Sequence, residues 1–324
     1  MELDITVHKG ERNNPLAILI HGLGTDKNIW LDPLNAKVLA KKVPLKLFAA
    51  KTPKPCLPEN HNGKKISFGD MPENIQTLWD ALVKEGINII CWSQRRPAGP
   101  ISAAVNDLTE VVERAEEIFP KSRIALVCHS RGGLVARKFM EEGRPEIKAL
   151  ITIATPNSGS AISSIGKYVA PLYALFKGVL PKYTHVSLSE IINSTGELLE
   201  GKAIKELMPD SDFFSSLKDS QQKGVNYISF GGTKPKILTV YRWEERDGKF
   251  IPKELFSIPD SLLKILPPPL QLDEIIPGKG DVLVSAKSSV LPWSQAHYNL
   301  PANHLSIMWH KKVIKKTIEV LKNI

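Results

Sequence analysis

Cysteine is scarce in this chain of 324 residues: Cys56, Cys91 and Cys128 are the only three. Three thiols so spaced do not make a disulfide framework, and the two that lie in apolar runs, Cys91 and Cys128, read as buried and reduced. Long hydrophobic runs are also lacking; none approaches the roughly 18 residues that a membrane span needs. The opening MELDITVHKGER carries acids early and no apolar stretch, so the expectation is no secretory leader and a reduced, cytoplasmic setting. Dense basic tracts are missing too. The net charge is +9, but the basic residues come in ones and twos, as in Lys41-Lys42, Lys64-Lys65, Arg95-Arg96 and Lys311-Lys312. Without aromatics interleaved in a basic stripe, no nucleic-acid surface is indicated. A solvated basic surface is the plain reading, with transient attraction to an anionic membrane or lipid surface as a weaker one. No set of His, Cys, Asp and Glu falls at metal-ligand spacing, so the chemistry is expected to need no metal and no cofactor. There is no internal repeat and no low-complexity tail.

What is present is a repeated alternation. PLAILIHG (15–22), INIICWSQ (87–94), SRIALVCHS (122–130), IKALITIATP (147–156) and VNYISFGGT (225–233) are β-branched, strand-length and apolar at successive positions. That pattern suits strands buried on both faces of a parallel sheet. Between them run helical patterns. Residues 103–119 place Val105, Leu108, Val111, Val112, Ala115 and Ile118 at helical intervals before Pro120, residues 133–143 end at Gly143, and SIMWHKKVIKKTIEVLKNI closes the chain with Ile307, Val313, Ile314, Ile318 and Leu321 on one face. Strand–helix alternation predicts a doubly wound α/β architecture in a single domain spanning residues 1–324. Residues 157–224 and 234–280 interrupt the alternation and are expected to be insertions above the sheet. Residues 51–70, with KTPKPCLPENHNG, are expected to form a surface loop.

The sharpest local signal is LVCHSRGGLVAR (126–137). An apolar run ends at Cys-His-Ser and turns through two glycines into a helical pattern, close to the G-x-S-x-G elbow but with Cys128 at the first glycine. A tight strand-to-helix turn lifts a serine above the sheet edge and aims the next backbone N–H at a developing oxyanion. Residues two before and two after the nucleophile have to be small, which Cys128 and Gly132 are. Cys128 lies within the apolar run, where a thiol is packed and inert, whereas Ser130 lies where the run ends. Ser130 is therefore the expected nucleophile. Upstream, His21-Gly22-Leu23-Gly24 lets backbone approach a substrate oxygen without side-chain interference.

A serine needs a base, and a base needs an orienting acid. Three histidines lie near the C-terminus. His310 falls inside the last helical pattern; His304, in LPANHLSIMW, precedes it in a loop that can reach over the sheet edge; His297, in the same region, is the runner-up. For the acid, Asp281 in PGKGDVLVSAKSS follows two chain-bending glycines and precedes an apolar run, whereas Asp260, Asp273 and Glu274 lie in a Pro-rich stretch.

With these pieces in order, the sequence resembles an α/β-hydrolase of the lipase type, near the bacterial lipases and the lipase-like group that includes GPI-inositol deacylases. LIHGLG, LVCHSRGGLVAR, TIATPNSGS, GKGDVLVSAKSS and NHL carry the resemblance, with AIKELMPDSDFFSSL (203–217) as a further match. It departs from the pattern at Cys128 and at Ser285, where a proline often follows the acid strand. The resemblance implies a Ser130–Asp281–His304 triad and an oxyanion hole made by the backbone N–H groups of Leu23 and Arg131. It further implies that 157–224 is a helical cap or lid, in which the apolar, lysine-studded segment 165–183 would line an acyl-chain pocket. Arg95 or Arg96 could meet an anionic head group, though solvent is the plainer fate. The expected activity is hydrolysis of small-molecule or lipid acyl esters. Acyl transfer or thioester hydrolysis by the same triad is the second reading, and a non-catalytic binding protein on the same fold the third. A structural calcium near the acids at 273–281 is left open.

Overall fold

Apolar runs too short for helices become the strands of one seven-stranded sheet. They are β1 (Asp4–His8), β2 (Leu16–Ile20), β3 (Asn88–Ser93), β4 (Ile124–His129), β5 (Ile147–Ile153), β6 (Asn226–Gly232) and β7 (Ala296–Leu300), in spatial order β1-β3-β2-β4-β5-β6-β7. β1 runs antiparallel to β3; every other pair is parallel. The computed structural model describes residues 2–38, 43–44, 52–63, 65–69, 75–162, 201–236, 238–263, 266–268 and 271–324.

Pleating sends alternate residues of each strand to opposite faces. Ala17 and Leu19 of β2 join one core, whereas Leu16, Ile18 and Ile20 join the other. The first core is closed by α1 (Leu78–Lys84) and α4 (Lys311–Lys322), through Leu78, Leu82, Val313, Ile314 and Leu321. The second is closed by α2 (Ile101–Ile118) and α3 (Arg131–Met140), through Leu108, Val111, Leu134, Val135 and Phe139. Covered on both sides, β2, β3 and β4 are buried at every position, which is why they read as unbroken apolar runs. The two edge strands carry no such run: β1 is half-exposed, and β7 is the polar AHYNL.

Three expectations need correction. The closing helix does not begin at Ser306. Residues Ser306–Trp309 form a 3-10 turn, and the His310 ring then accepts a hydrogen bond from the Lys312 N–H at 3.1 Å, capping α4. The 51–70 stretch is not loop throughout: Ile66–Gly69 is a strand, and Cys56 bridges to Phe250. It pairs with a hairpin, Leu238–Arg246 and Lys249–Ile258, whose turn residues Asp247 and Gly248 both have positive φ (48° and 69°), as a tight two-residue hairpin turn demands. Thirdly, Val282–Val284 is no strand but part of a turn closed by the Asp281 N–H to Val284 C=O bond.

Of the expected cap at 157–224, residues 163–200 lie outside the described residues, and the acyl-pocket segment 165–183 with them. Of the described remainder, Ile204 and Leu207 are buried in the core that α2 and α3 close, and Phe213 and Phe214 pack against that core. Among the described residues no helix is long and apolar enough to cross a membrane.

Candidate active site

The carboxyl ends of parallel strands converge on one edge of the sheet, the usual place for chemistry in an open α/β fold. β2 runs into His21–Thr25, β3 into Gln94, β4 into Ser130, and β7 reaches His304 four residues past its end. β6 stops at Gly232, where a Cβ would stand 2.6 Å from Asp281 Cβ; the chain leaves the sheet there, and Asp281 stands beside that point of departure.

Ser130 sits on the turn between β4 and α3 at φ 53°, ψ −131°, a conformation serine rarely adopts. The turn holds because its ends are fixed: the Ser130 N–H donates to Ile153 C=O at 2.9 Å, and the Gly133 N–H donates to Ser130 C=O at 3.0 Å. It also needs room. Cβ atoms would come within 2.9 Å of Ser130 Cβ at Gly22, within 2.7 Å of Ile20 O at Gly132, and within 2.2 Å of Thr155 Oγ1 at Gly133. Cys128 is fully buried in the core beneath α3, and burial pushes its thiol well above the ordinary cysteine range, so no thiolate is on offer.

His304 Nε2 lies 2.9 Å from Ser130 Oγ, and His304 Nδ1 lies 2.9 Å from Asp281 Oδ2. A carboxylate only accepts, which places the imidazole proton on Nδ1 and leaves Nε2 to accept from the serine hydroxyl. All three residues are at least nine-tenths buried. Asp281 Oδ1 takes the N–H groups of Leu283 (3.0 Å) and Val284 (2.7 Å), so the side chain itself organises the turn it stands on. The His304 N–H also donates to Asp281 C=O at 2.9 Å, fixing base and acid through backbone as well as side chain.

The other candidates are engaged elsewhere. His297 lies on β7 rather than in a loop, with Nδ1 2.8 Å from Ser229 Oγ and Nε2 2.9 Å from Asn299 Oδ1. Asp260 accepts from the Ser257 hydroxyl, Asp273 pairs with Lys279, and buried Glu274 accepts from the Ala161 N–H. Arg95 is bound by Asp107 and Glu110 of α2, whereas Arg96 is exposed.

Gly22 faces Ser130, so the His21–Gly24 loop borders the nucleophile; Gly24 takes positive φ (66°) and its N–H donates to Pro97 C=O at 2.9 Å. Arg131 opens α3, where first-turn N–H groups have no intrahelical partner. No hydrogen bond to the N–H of Leu23 or of Arg131 is present among the described residues.

Two groups support the site whose part in it the sequence does not show. His129 is buried beside Ser130; its Nε2 donates to His304 C=O at 2.8 Å, and burial, with the neighbouring His304 a smaller influence, lowers its pKa to about 3. TPNSGS (155–160) is a strut between α3 and the acid turn. Asn157 Nδ2 donates to Ser289 C=O at 2.9 Å, Ser160 Oγ to Leu283 C=O at 2.6 Å, and Arg137 Nη1 to Asn157 C=O at 2.6 Å. Among the described residues no three His, Cys, Asp or Glu side chains gather as metal ligands would.

Compared with known proteins, residues 68–195 match a hydrolase family described as serine aminopeptidase, S33. A Bacillus licheniformis lipase in its mature form superposes with a TM-score of 0.56 at 14% identity, over 98% of this chain and 97% of the lipase. A Staphylococcus aureus subsp. aureus Mu50 protein of unknown function superposes with a TM-score of 0.50 at 12% identity, over 99% of this chain and 94% of that one. No curated protein matches the chain. At these identities the likeness is one of fold.

Proposed function

We propose, from the α/β-hydrolase fold that it shares with the lipase, that this chain is a serine hydrolase cleaving carboxylic esters through an acyl-enzyme, in a single domain spanning residues 1–324. The observation that carries the reading is the buried hydrogen-bond chain from Ser130 Oγ through His304 to Asp281. In this reading His304 Nε2 takes the hydroxyl proton as Oγ attacks the ester carbonyl, and Asp281 holds the ring in its Nδ1–H tautomer and stabilises the imidazolium. The N–H groups of Leu23 and Arg131 receive the oxyanion, a type of contact worth about 10²–10³ in rate for each donor. His304 returns the proton to the leaving alkoxide, and a water then repeats the sequence on the acyl-enzyme.

Esters are preferred as substrates because the likeness that spans the whole chain is to a lipase, whereas the match to a family described as an aminopeptidase covers only residues 68–195. That description motivates a second reading, cleavage of an aminoacyl amide. The cap at 157–224 is proposed to line the acyl side of the site. A fluorophosphonate should label the wild type and fail on Ser130→Ala; an unlabelled wild type sinks the hydrolase reading. A series of p-nitrophenyl esters should turn over faster as the acyl chain lengthens. Cleavage of acetyl esters alone removes the lipid-pocket proposal, and preference for an aminoacyl p-nitroanilide replaces the ester reading with the amide one.

A further inference from the structure

We infer that the Arg131 side chain is a positioning residue, locking the two N–H groups proposed for the oxyanion hole into one rigid unit; the inference rests on the ester-hydrolase reading above. Arg131 supplies one of those N–H groups from its own backbone. Its side chain has no solvent exposure and crosses to the loop after β3, where Nη2 donates to Gln94 Oε1 at 2.6 Å and to Pro97 C=O at 3.4 Å, and Nη1 donates to Gly99 C=O at 2.5 Å. Gln94, also without exposure, hands the connection on. Its Nε2 donates to His21 C=O at 3.0 Å, and its backbone N–H donates to His21 Nε2 at 2.9 Å.

A backbone N–H only donates, so His21 Nε2 is unprotonated and the ring proton lies on Nδ1, 2.9 Å from Gly22 C=O. The Thr25 hydroxyl donates to the same carbonyl at 3.2 Å. Pro97 C=O, already a partner of Arg131, accepts the Gly24 N–H as well. The peptide after Leu23 is thus tied to the guanidinium through the shared Pro97 carbonyl, and the peptide before it through Gln94 and the His21 ring. Leu23 is left presenting its N–H from a loop fixed on both sides.

Holding a guanidinium out of water among neutral carbonyls is costly, and burial draws the Arg131 pKa down to about 10, opposed by the attraction of Glu206. Packing alone does not call for such a group, since an apolar side chain would fill the space without that cost. What the planar fork adds is several donors in fixed directions, the property that suits arginine to rigid geometry. Oxyanion stabilisation depends on donors standing in place before charge develops, and a misplacement of about 1 Å costs up to about 10²-fold.

The test compares Arg131→Met, Arg131→Lys and Gln94→Glu with the wild type. It measures kcat and KM on a p-nitrophenyl ester, inhibition by an alkyl boronic acid that adds to the serine as a tetrahedral adduct, and thermal melting. Gln94→Glu keeps an acceptor for Arg131 but removes the donor to His21 C=O, so it cuts the link at one bond. Arg131→Met and Gln94→Glu should lower kcat about 10–100-fold with KM within about twofold, and weaken the boronate in the same proportion. Arg131→Lys should recover part of both. If Arg131→Met does not fold, Gln94→Glu decides alone. Unchanged kcat and boronate affinity in Gln94→Glu overturn the inference, as does a fall in kcat that follows only the loss of folded protein. A wild type that neither hydrolyses ester nor reacts with fluorophosphonate overturns the hydrolase reading instead, and this inference with it.

Discussion

Two groups with nucleophilic chemistry lie two residues apart in the elbow, and their surroundings separate them. Cys128 is sealed in the core, whereas Ser130 is turned out of it by a backbone that only small neighbours permit. Cys128→Gly should therefore keep ester turnover within about threefold while lowering stability by about 1–3 kcal/mol, the cost of a small cavity, read by kinetics alongside urea unfolding. A loss of turnover as deep as that of Ser130→Ala would return the cysteine to consideration. Of the histidines, His304→Ala should cost at least about 10³-fold in kcat, whereas His297→Ala should leave kcat within about twofold because its partners are Ser229 and Asn299. At this scale Ser130, Asp281 and His304 were legible because each stands where an apolar run breaks beside glycine or loop residues. The arginine after the serine was legible only as a backbone donor. Nothing in its local sequence says that its side chain crosses to Gln94, because that contact spans 37 positions.

The elements owe their placement to close approaches that few side chains allow. α3 docks over the edge of the sheet because Gly133 leaves no Cβ to strike Thr155. Gly133→Ala should destabilise the fold by about 1–3 kcal/mol, with Thr155→Ala in the same chain restoring part of the loss, as measured by denaturant unfolding. A second tie holds α3 to the C-terminal part of the 157–224 segment, the Arg137–Asp219 pair at 2.6 Å with both side chains nearly buried. Asp219→Ala strands the guanidinium and should cost about 3–5 kcal/mol, whereas a change below about 1 kcal/mol would mean that water reaches the pair. The buried parallel strands announce themselves in sequence as apolar runs; the edge strands do not, and of the hairpin only the Asp247-Gly248 turn has a local signal. The acid segment misleads for a local reason. Val282-Leu283-Val284 has strand composition, but the Asp281 carboxylate takes the N–H groups that a strand ladder would use.

Across the whole molecule, one buried ring sets part of the response to acid. His129 holds a pKa of about 3 in the folded chain against the ordinary 6.5, because burial disfavours its charged form. Between those values the unfolded chain binds the proton and the folded one does not. Stability should thus be greatest above about pH 6.5 and fall as the pH drops toward 3, by up to about 1.4 kcal/mol per unit. Urea midpoints across that range should slope less in His129→Gln, whose amide can still donate to His304 C=O; an identical slope would assign the acid sensitivity to other groups.

The course of residues 233–280 has a different kind of consequence. The chain departs at Gly232 and comes back at Asp281 almost touching its point of departure, and the returning carboxylate is held by the core, by its own turn and by His304. The excursion is a cassette closed at its base. A change of length far from that base therefore leaves the carboxylate at its address, because what fixes Asp281 lies outside the excursion.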